Sequence, residues 1–320
     1  MNDLYVGVEI GGTKLQVVAS QCLPKIADHY CAPVDVTLGA QGILDEIKKA
    51  LSELLGHRLP TAIGVGFGGP VDRRTGQIAC SHQIAGWEHF PLGRWFKDQW
   101  NTRASIDNDA NVAGLAEAVF GAGTGFDPVF YVTLGSGVGG GLVVNGHIYH
   151  GETPGEAEIG HLRLNRDGLI LEHSCSGWAV NRKVRSAIKE EPDTELALLA
   201  KEHPGVEAIA LSPAVAAQDS FALQILRSTA DDLAFGLSHV IHLQHPQTVI
   251  LGGGLSRLGE PLRKAVADAL PQYLMEIMPP PIIKLSQLGE NAVPTGALAL
   301  AKLAAPGPDH LATAIPDVPK

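Results

Sequence analysis

Positive charge is scarce in this chain: 24 Lys and Arg stand against 34 Asp and Glu, a formal net charge of −10. Nucleic-acid and anionic-membrane surfaces need a basic footprint, so neither partner is expected. No apolar run approaches the roughly 18 residues of a membrane span. The opening MNDLYVGVEIGG has no basic region ahead of strand-like residues, and no signal peptide is read from it. Cysteine is sparse as well. Cys22, Cys31, Cys80 and Cys175 are scattered without a C-x-x-C pair, the pattern of reduced thiols in a cytoplasm. No G-x-x-x-x-G-K-[ST] string occurs, which excludes a P-loop. What remains is 320 residues with 45% hydrophobic and 18% charged content, able to bury a core and sized for two lobes. A soluble intracellular enzyme is the expectation.

Glycine is what the chain has in excess, with 37 residues. The apolar run Leu4–Ile10 stops at Gly11-Gly12 and extended character resumes at Leu15–Ala19, which reads as a hairpin. Residues 41–57 have helical spacing through Ile43, Leu44, Ile47, Leu51, Leu54 and Leu55. A buried-strand pattern, Ala62–Phe67, closes on Gly68-Gly69-Pro70, and residues 109–119 are helical through Val112, Leu115, Ala116 and Val119. From Val129 a second strand–glycine–strand unit repeats the device, with Ser136–Gly141 as its turn. Helices are expected at 177–190, 214–243, 258–274 and 295–304, with strands at Thr248–Leu251, ahead of Gly252-Gly253-Gly254, and at 282–285. Strands alternating with helices make an α/β class.

Glycines after strands serve as turns with positive φ in any such protein, and they also make anion cradles where backbone N–H groups lie bare. Two G-x-G-x-x-G matches, at 64–69 and 135–140, would mark a dinucleotide site only if a helix followed at once. Pro-Val-Asp follows the first and Gly-Leu-Val-Val-Asn-Gly the second, so neither fits. In Ile106-Asp107-Asn108-Asp109-Ala110-Asn111 a strand end opens a helix, where α/β proteins hold ligands. Asp107 and Asp109 both qualify there as a base, and Asp109 could equally cap the helix or favour its dipole. Taken alone, Glu158 and Glu172 read as surface carboxylates, and His161 as a structural histidine.

The ordered set of a glycine hairpin, N-D-A-N, a second glycine hairpin, Glu156-Ala157-Glu158-Ile159-Gly160-His161 and Leu251–Gly254 resembles the ROK family of sugar kinases from about Tyr5 to Leu303. The resemblance implies a two-lobed α/β, actin-like ATPase (ribonuclease H-like) fold with a cleft between lobes. On that reading residues 1–115 form a small N-terminal lobe and 116–294 a larger C-terminal lobe. A helix at 295–305 returns to the first lobe, and 306–320 form a frayed tail. The reaction implied is ATP-dependent phosphorylation of a hexose or hexose derivative with Mg²⁺. Glu9, Gly11, Gly12, Thr13 and Lys14 resemble the first phosphate loop, with Glu9 where the family usually has aspartate. Gly135, Ser136 and Gly137 resemble the second loop, and Gly253 and Gly254 the nucleoside-side glycines. The family pattern selects Asp109 as general base. It assigns Asn108, Gly69, Glu158, His161 and Glu172 to the sugar, with Glu156 as the nearby competitor for Glu158. Trp87 lies in a segment resembling the family's P-G-W loop near the sugar.

The cysteine-bearing zinc loop of many members is missing: only Leu162–Leu171 separates His161 from Glu172, without a cysteine. Zinc is therefore expected to be absent, Cys175 with His173 and His161 being the one makeshift alternative. The family also holds transcriptional repressors with a helix-turn-helix segment, which the few residues before the first hairpin disfavour. A sensor with impaired catalysis is the alternative that Glu9 and the missing loop raise. Partners are then a sugar and ATP, and the resemblance allows a homodimer.

Overall fold

The computed structural model describes residues 3–81, 83–152 and 157–305. Glu156 and the tail from Pro306 lie outside the described residues. The described chain divides into two compact units, one drawn from Met1–Asp127, Gly141–Ala157 and Gln287–Lys320, the other from Pro128–Gly140 and Glu158–Ser286.

In the first unit, β1 (Tyr5–Ile10) and β2 (Lys14–Ser20) form the expected hairpin, with Ile10 opposite Leu15. The Gly11 N–H donates to the Lys14 carbonyl at 3.0 Å and closes the turn. The edge strand β3 (Asp28–Pro33) carries no apolar alternation and escaped the sequence reading. Helix α1 (Gly39–Leu55) buries Ile43, Leu44, Ile47 and Leu51 against Val6, Val8 and Ile10, the even-numbered face of β1. Then come β4 (Ala62–Phe67), the short hairpin of β5 (Val71–Asp72) and β6 (Gln77–Ile78), α2 (Leu92–Trp100), β7 (Ala104–Asn108) and α3 (Asp109–Phe120). The sheet order is β3-β2-β1-β4-β7, with β1, β4 and β7 parallel. The closing helix among the described residues, Ala292–Ala304, packs on β1, β4 and α3. Glycine makes that approach: a methyl group at Gly64 would lie 1.9 Å from the Ala297 carbonyl oxygen.

The second sheet has the order β10-β9-β8-β11-β12, built from β8 (Val129–Leu134), β9 (Val138–Val144), β10 (His147–Ile148), β11 (Thr248–Gly252) and β12 (Ile282–Leu285). Strands β8, β11 and β12 are parallel. The second unit's helices are α4 (Leu171–Cys175), α5 (Gly177–Glu190), α6 (Glu195–Ala200), α7 (Leu211–Ala216), α8 (Ser220–Gln244) and α9 (Glu260–Ala269), and the closing helix is α10. The single helix expected at 214–243 is two. Gln218 takes φ +61°, and Asp219 restarts the chain as α8 by accepting from the Ala222 N–H at 2.9 Å. The helix expected to run to 274 stops as an α-helix at Ala269, with Pro271 in the 3₁₀ turn beyond. Among the described residues no single helix is long and apolar enough to cross a membrane.

Candidate active site

Parallel strands leave their C-terminal ends as the natural place for ligands. In the first unit β1, β4 and β7 end at the Gly11-Gly12 turn, at Gly68-Gly69 and at Asn108-Asp109. These ends touch. A methyl group placed on Gly68 would lie 3.4 Å from Asp109 Oδ2, 3.4 Å from the Ile10 carbonyl oxygen and 3.7 Å from the Gly11 Cα. Asn108, with extended backbone, caps α3: its Oδ1 accepts from the Ala110 N–H at 2.8 Å and the Asn111 N–H at 3.4 Å. Its Nδ2 donates to the Gly69 carbonyl at 3.3 Å, which leaves one amide hydrogen for a ligand. The cap is thus Asn108, and Asp109 is the first residue of the helix. Its half-buried carboxylate accepts from the Ala110 N–H at 2.8 Å, where the helix N-terminus favours negative charge.

Asp107 is in a different situation. It is 2% exposed, and both carboxylate oxygens are engaged. Oδ1 accepts from the Asn108 N–H at 2.8 Å and from Asn111 Nδ2 at 3.0 Å, while Oδ2 meets His150 Nε2 at 2.6 Å. The two aspartates that sequence left as competitors are separated by burial. Asp107 holds the strand–helix corner together, and the Asp109 carboxylate borders the glycine turns. His150 went unnoticed in the sequence, where nothing marks a partner 43 residues away.

Glu9, next to last in β1, lies on the same face as Gly7, which is turned toward α10. Burial pushes its carboxyl up from the ordinary range; Lys14 and the amide of Gln16 pull it back, and Glu290 opposes them. Gln16 Nε2 donates to Glu9 Oε2 at 2.6 Å. Lys14 Nζ lies 4.0 Å from Glu290 Oε2, a partly exposed pair of small worth. Thr13 is exposed, and the Gln83 side chain lies over Gly12, where a methyl group would come within 1.7 Å of Oε1. Trp87 anchors its loop from inside. It is fully buried, with its ring edge-on to Phe67 at 5.2 Å and to Phe90 at 5.3 Å.

The second unit repeats the pattern at the ends of β8 and β11. The Gly135-Ser136-Gly137 turn follows β8, with the Gly135 N–H donating to the Gly137 carbonyl at 3.0 Å. The Gly177 N–H, at the start of α5, donates to the Gly135 carbonyl at 2.7 Å. Gly253 takes φ +78° against the end of β8, where a methyl group would lie 2.6 Å from the Leu134 backbone, and Gly254 faces open space. Glu172 on α4 sits on this turn: Oε2 accepts from the Val138 N–H at 3.0 Å, and a methyl group at Gly137 would come within 2.5 Å of it. Glu158 and His161, both exposed, flank the 3₁₀ turn Ile159–His161, whose Gly160 abuts the Val138 carbonyl. Glu158, His161, Glu172, Gly135–Gly137, Gly253 and Gly254 are therefore neighbours around one turn, and Glu172 is tied to its backbone.

Cys175 is buried, its Sγ donating to the Thr229 carbonyl at 3.5 Å, and burial pushes the thiol up. His173 and His161 are exposed. Among the described residues no group of three or more His, Cys, Asp or Glu side chains is placed to hold a metal ion. For Mg²⁺ carried by a nucleotide the requirement is different. It takes one or two protein carboxylates with phosphate oxygens and water. Glu9, two residues before the Gly11-Gly12 turn, is a carboxylate of that type, so its chemistry fits the ion.

The profile of the ROK family matches residues 5–304. Glucokinase of Halalkalibacterium halodurans is 31% identical over 303 residues, covering 90% of this chain and 92% of the relative. Glucokinase of Thermotoga maritima is 30% identical over 294 residues, covering 87% and 93%. The crystal structure of a ROK family glucokinase from Streptomyces griseus in complex with glucose and AMPPNP superposes with a TM-score of 0.83. It is 30% identical, covering 94% of this chain and all of that one. Paired α/β units with five-stranded sheets, glycine turns on parallel strand ends and a match along nearly the whole length converge: the chain belongs to the ROK family of sugar kinases, with their actin-like ATPase fold.

Proposed function

We propose that the protein transfers the γ-phosphoryl group of ATP to a hydroxyl of a hexose or close hexose derivative, with Asp109 as general base. Phosphoryl transfer asks a protein for positioning, for charge stabilisation and for a group that takes the proton of the attacking hydroxyl. Mg²⁺ bound with the nucleotide would supply neutralisation of phosphate charge. In the first unit, the Gly11-Gly12 turn, whose Gly11 N–H is spent on the Lys14 carbonyl, would hold phosphate oxygens through the Gly12 N–H with Thr13 and Lys14, and Glu9 would face the ion. Asn108 and Gly69 orient the acceptor sugar beside Asp109. In the second unit, Gly135–Gly137 and Gly253-Gly254 hold the rest of the nucleotide, and Glu158, His161 and Glu172 accept from sugar hydroxyls. An alcohol left without a partner in a buried pocket costs affinity, so a polyol is recognised by several such acceptors. ATP as donor and unpaired thiols agree with a cytoplasmic enzyme, and zinc is not required.

The observation that supports this reading most is the contact at Gly68, which brings the Asp109 carboxylate against the end of β1 and the glycine turn. The experiment is a coupled ATP-consumption screen across hexoses, hexosamines and their N-acetyl forms. Sugar-dependent ADP release with at least one of them is expected. Saturable sugar binding without ADP release from any would replace the kinase by a sensor.

A further inference from the structure

Glu9 is one methylene longer than the aspartate usual at its position, and the sheet accounts for the extra reach. Glu9 and Gln16 lie directly opposite one another on β1 and β2, so their side chains rise from one face as a cross-strand pair. Gln16 is 3% exposed and makes three contacts. Its Nε2 donates to Glu9 Oε2 at 2.6 Å and to the Glu290 carbonyl at 3.3 Å, and its Oε1 meets His29 Nε2 at 2.8 Å. His29 stands opposite Val18 on β3, diagonal to Gln16. The Glu290 carbonyl can only accept, so the amide nitrogen faces Glu9 and His29 carries the proton on its Nε2. Turning this buried amide would set its oxygen against the acceptors of Glu9 and Glu290. One oxygen of Glu9 is thus tethered, and Oε1 has no hydrogen-bond partner among the described residues.

We propose that Gln16 is a positioning residue that ties back one oxygen of Glu9 and presents the other to the magnesium–triphosphate group, so that a glutamate serves where aspartate is usual. This rests on the ATP reading given above. Gln16 makes no contact with substrate in this role; its effect passes through Glu9.

The test is a double-mutant cycle between Glu9→Asp and Gln16→Leu, read as Mn²⁺ affinity in the presence of AMPPNP by electron paramagnetic resonance, with kcat and KM for MgATP alongside. With Glu9 in place, Gln16→Leu should weaken Mn²⁺–AMPPNP binding by about tenfold, the scale of one hydrogen bond to a charged group. In the Glu9→Asp background, whose carboxylate stops short of Gln16, the same change should cost less than about twofold. Unchanged affinity in the Glu9 protein, or the same loss in both backgrounds, overturns the proposal. Should Gln16→Leu fail to fold by circular dichroism, His29→Ala at the exposed end of the row frees the amide, with an expected loss of about threefold. No loss there overturns the proposal as well. Wild-type protein that binds no Mn²⁺–AMPPNP overturns both this inference and the kinase reading. Protein that binds it, shows the cycle and phosphorylates no sugar overturns only the latter.

Discussion

The two aspartates of the strand–helix corner should respond in opposite ways to the same isosteric change. Asp107→Asn keeps the shape of a side chain that is 2% exposed and accepts from the Asn108 N–H, Asn111 Nδ2 and His150 Nε2. Its amide oxygen can retain the first two donors, and its NH₂ then faces His150, whose ring can take the tautomer that accepts. What is lost is the charge-assisted part of these bonds, on the order of 1–2 kcal/mol. At about 2–4 °C per kcal/mol for a chain of this size or somewhat less, Tm should fall by about 2–8 °C. Turnover should drop by less than about tenfold, because Asp107 positions its neighbours and takes no proton from the substrate. Asp109→Asn removes a half-buried carboxylate whose helix is already capped by Asn108, so stability should change by no more than about 0.5 kcal/mol. Its kcat should fall by about 10²- to 10⁴-fold, the usual worth of a general base, with sugar affinity largely kept. Both variants are assayed for ATP-coupled turnover and thermal melting. An Asp107→Asn protein with unshifted Tm and a hundredfold loss of turnover, or an Asp109→Asn protein with near-normal kcat, refutes the assignment.

Other consequences follow from the same geometry. Glu117 is fully buried, and its carboxylate accepts from the Ala122, Gln287 and Leu288 N–H groups at 2.8, 3.2 and 2.8 Å. Glu117→Ala strands these donors and should cost about 3–6 kcal/mol by denaturant unfolding; a loss under about 1 kcal/mol would contradict the network. Burial raises the Glu9 carboxyl in the folded state, so the native protein holds that proton to higher pH than the unfolded chain, and stability falls as pH rises through the folded value. Glu9→Gln should therefore melt higher than wild type at pH 7, and the gap should close as pH falls below the ordinary glutamate value. A gap that widens toward acid would reverse the sign. Exposed Cys22 and Cys31 should react with a thiol reagent in the folded protein, while Cys175 reacts only on denaturation. Protein purified without added zinc should carry none, and stoichiometric zinc by metal analysis would refute the zinc-free reading.

Much of the architecture could be read before any coordinates. Ala62–Phe67 and Val129–Leu134 are mostly apolar runs because interior parallel strands are covered on both faces, so these two strands announced themselves. Each glycine hairpin was visible because a turn between antiparallel strands is a local event. Strand β3 and helix α2 were missed for the converse reason: DHYCAP is an exposed edge, and in LGRWFKDQW only Leu92 and Phe96 are buried. The order of motifs along the chain was enough to assign a family, and with it a short list of site residues. It could not choose between Asp107 and Asp109 on chemistry alone, since both are carboxylates at one strand end. The family pattern favours Asp109, and in the fold the two differ by burial and by His150, a partner of Asp107 distant in sequence. Nor could it show that Glu9 faces Gln16, because pairing across strands depends on register, and hydrogen bonds through space leave no periodic mark on the chain. Residue type and local spacing thus determined the elements and the candidates. Which candidates are tethered, buried or left facing the glycine turns was decided only when three strand ends were brought side by side.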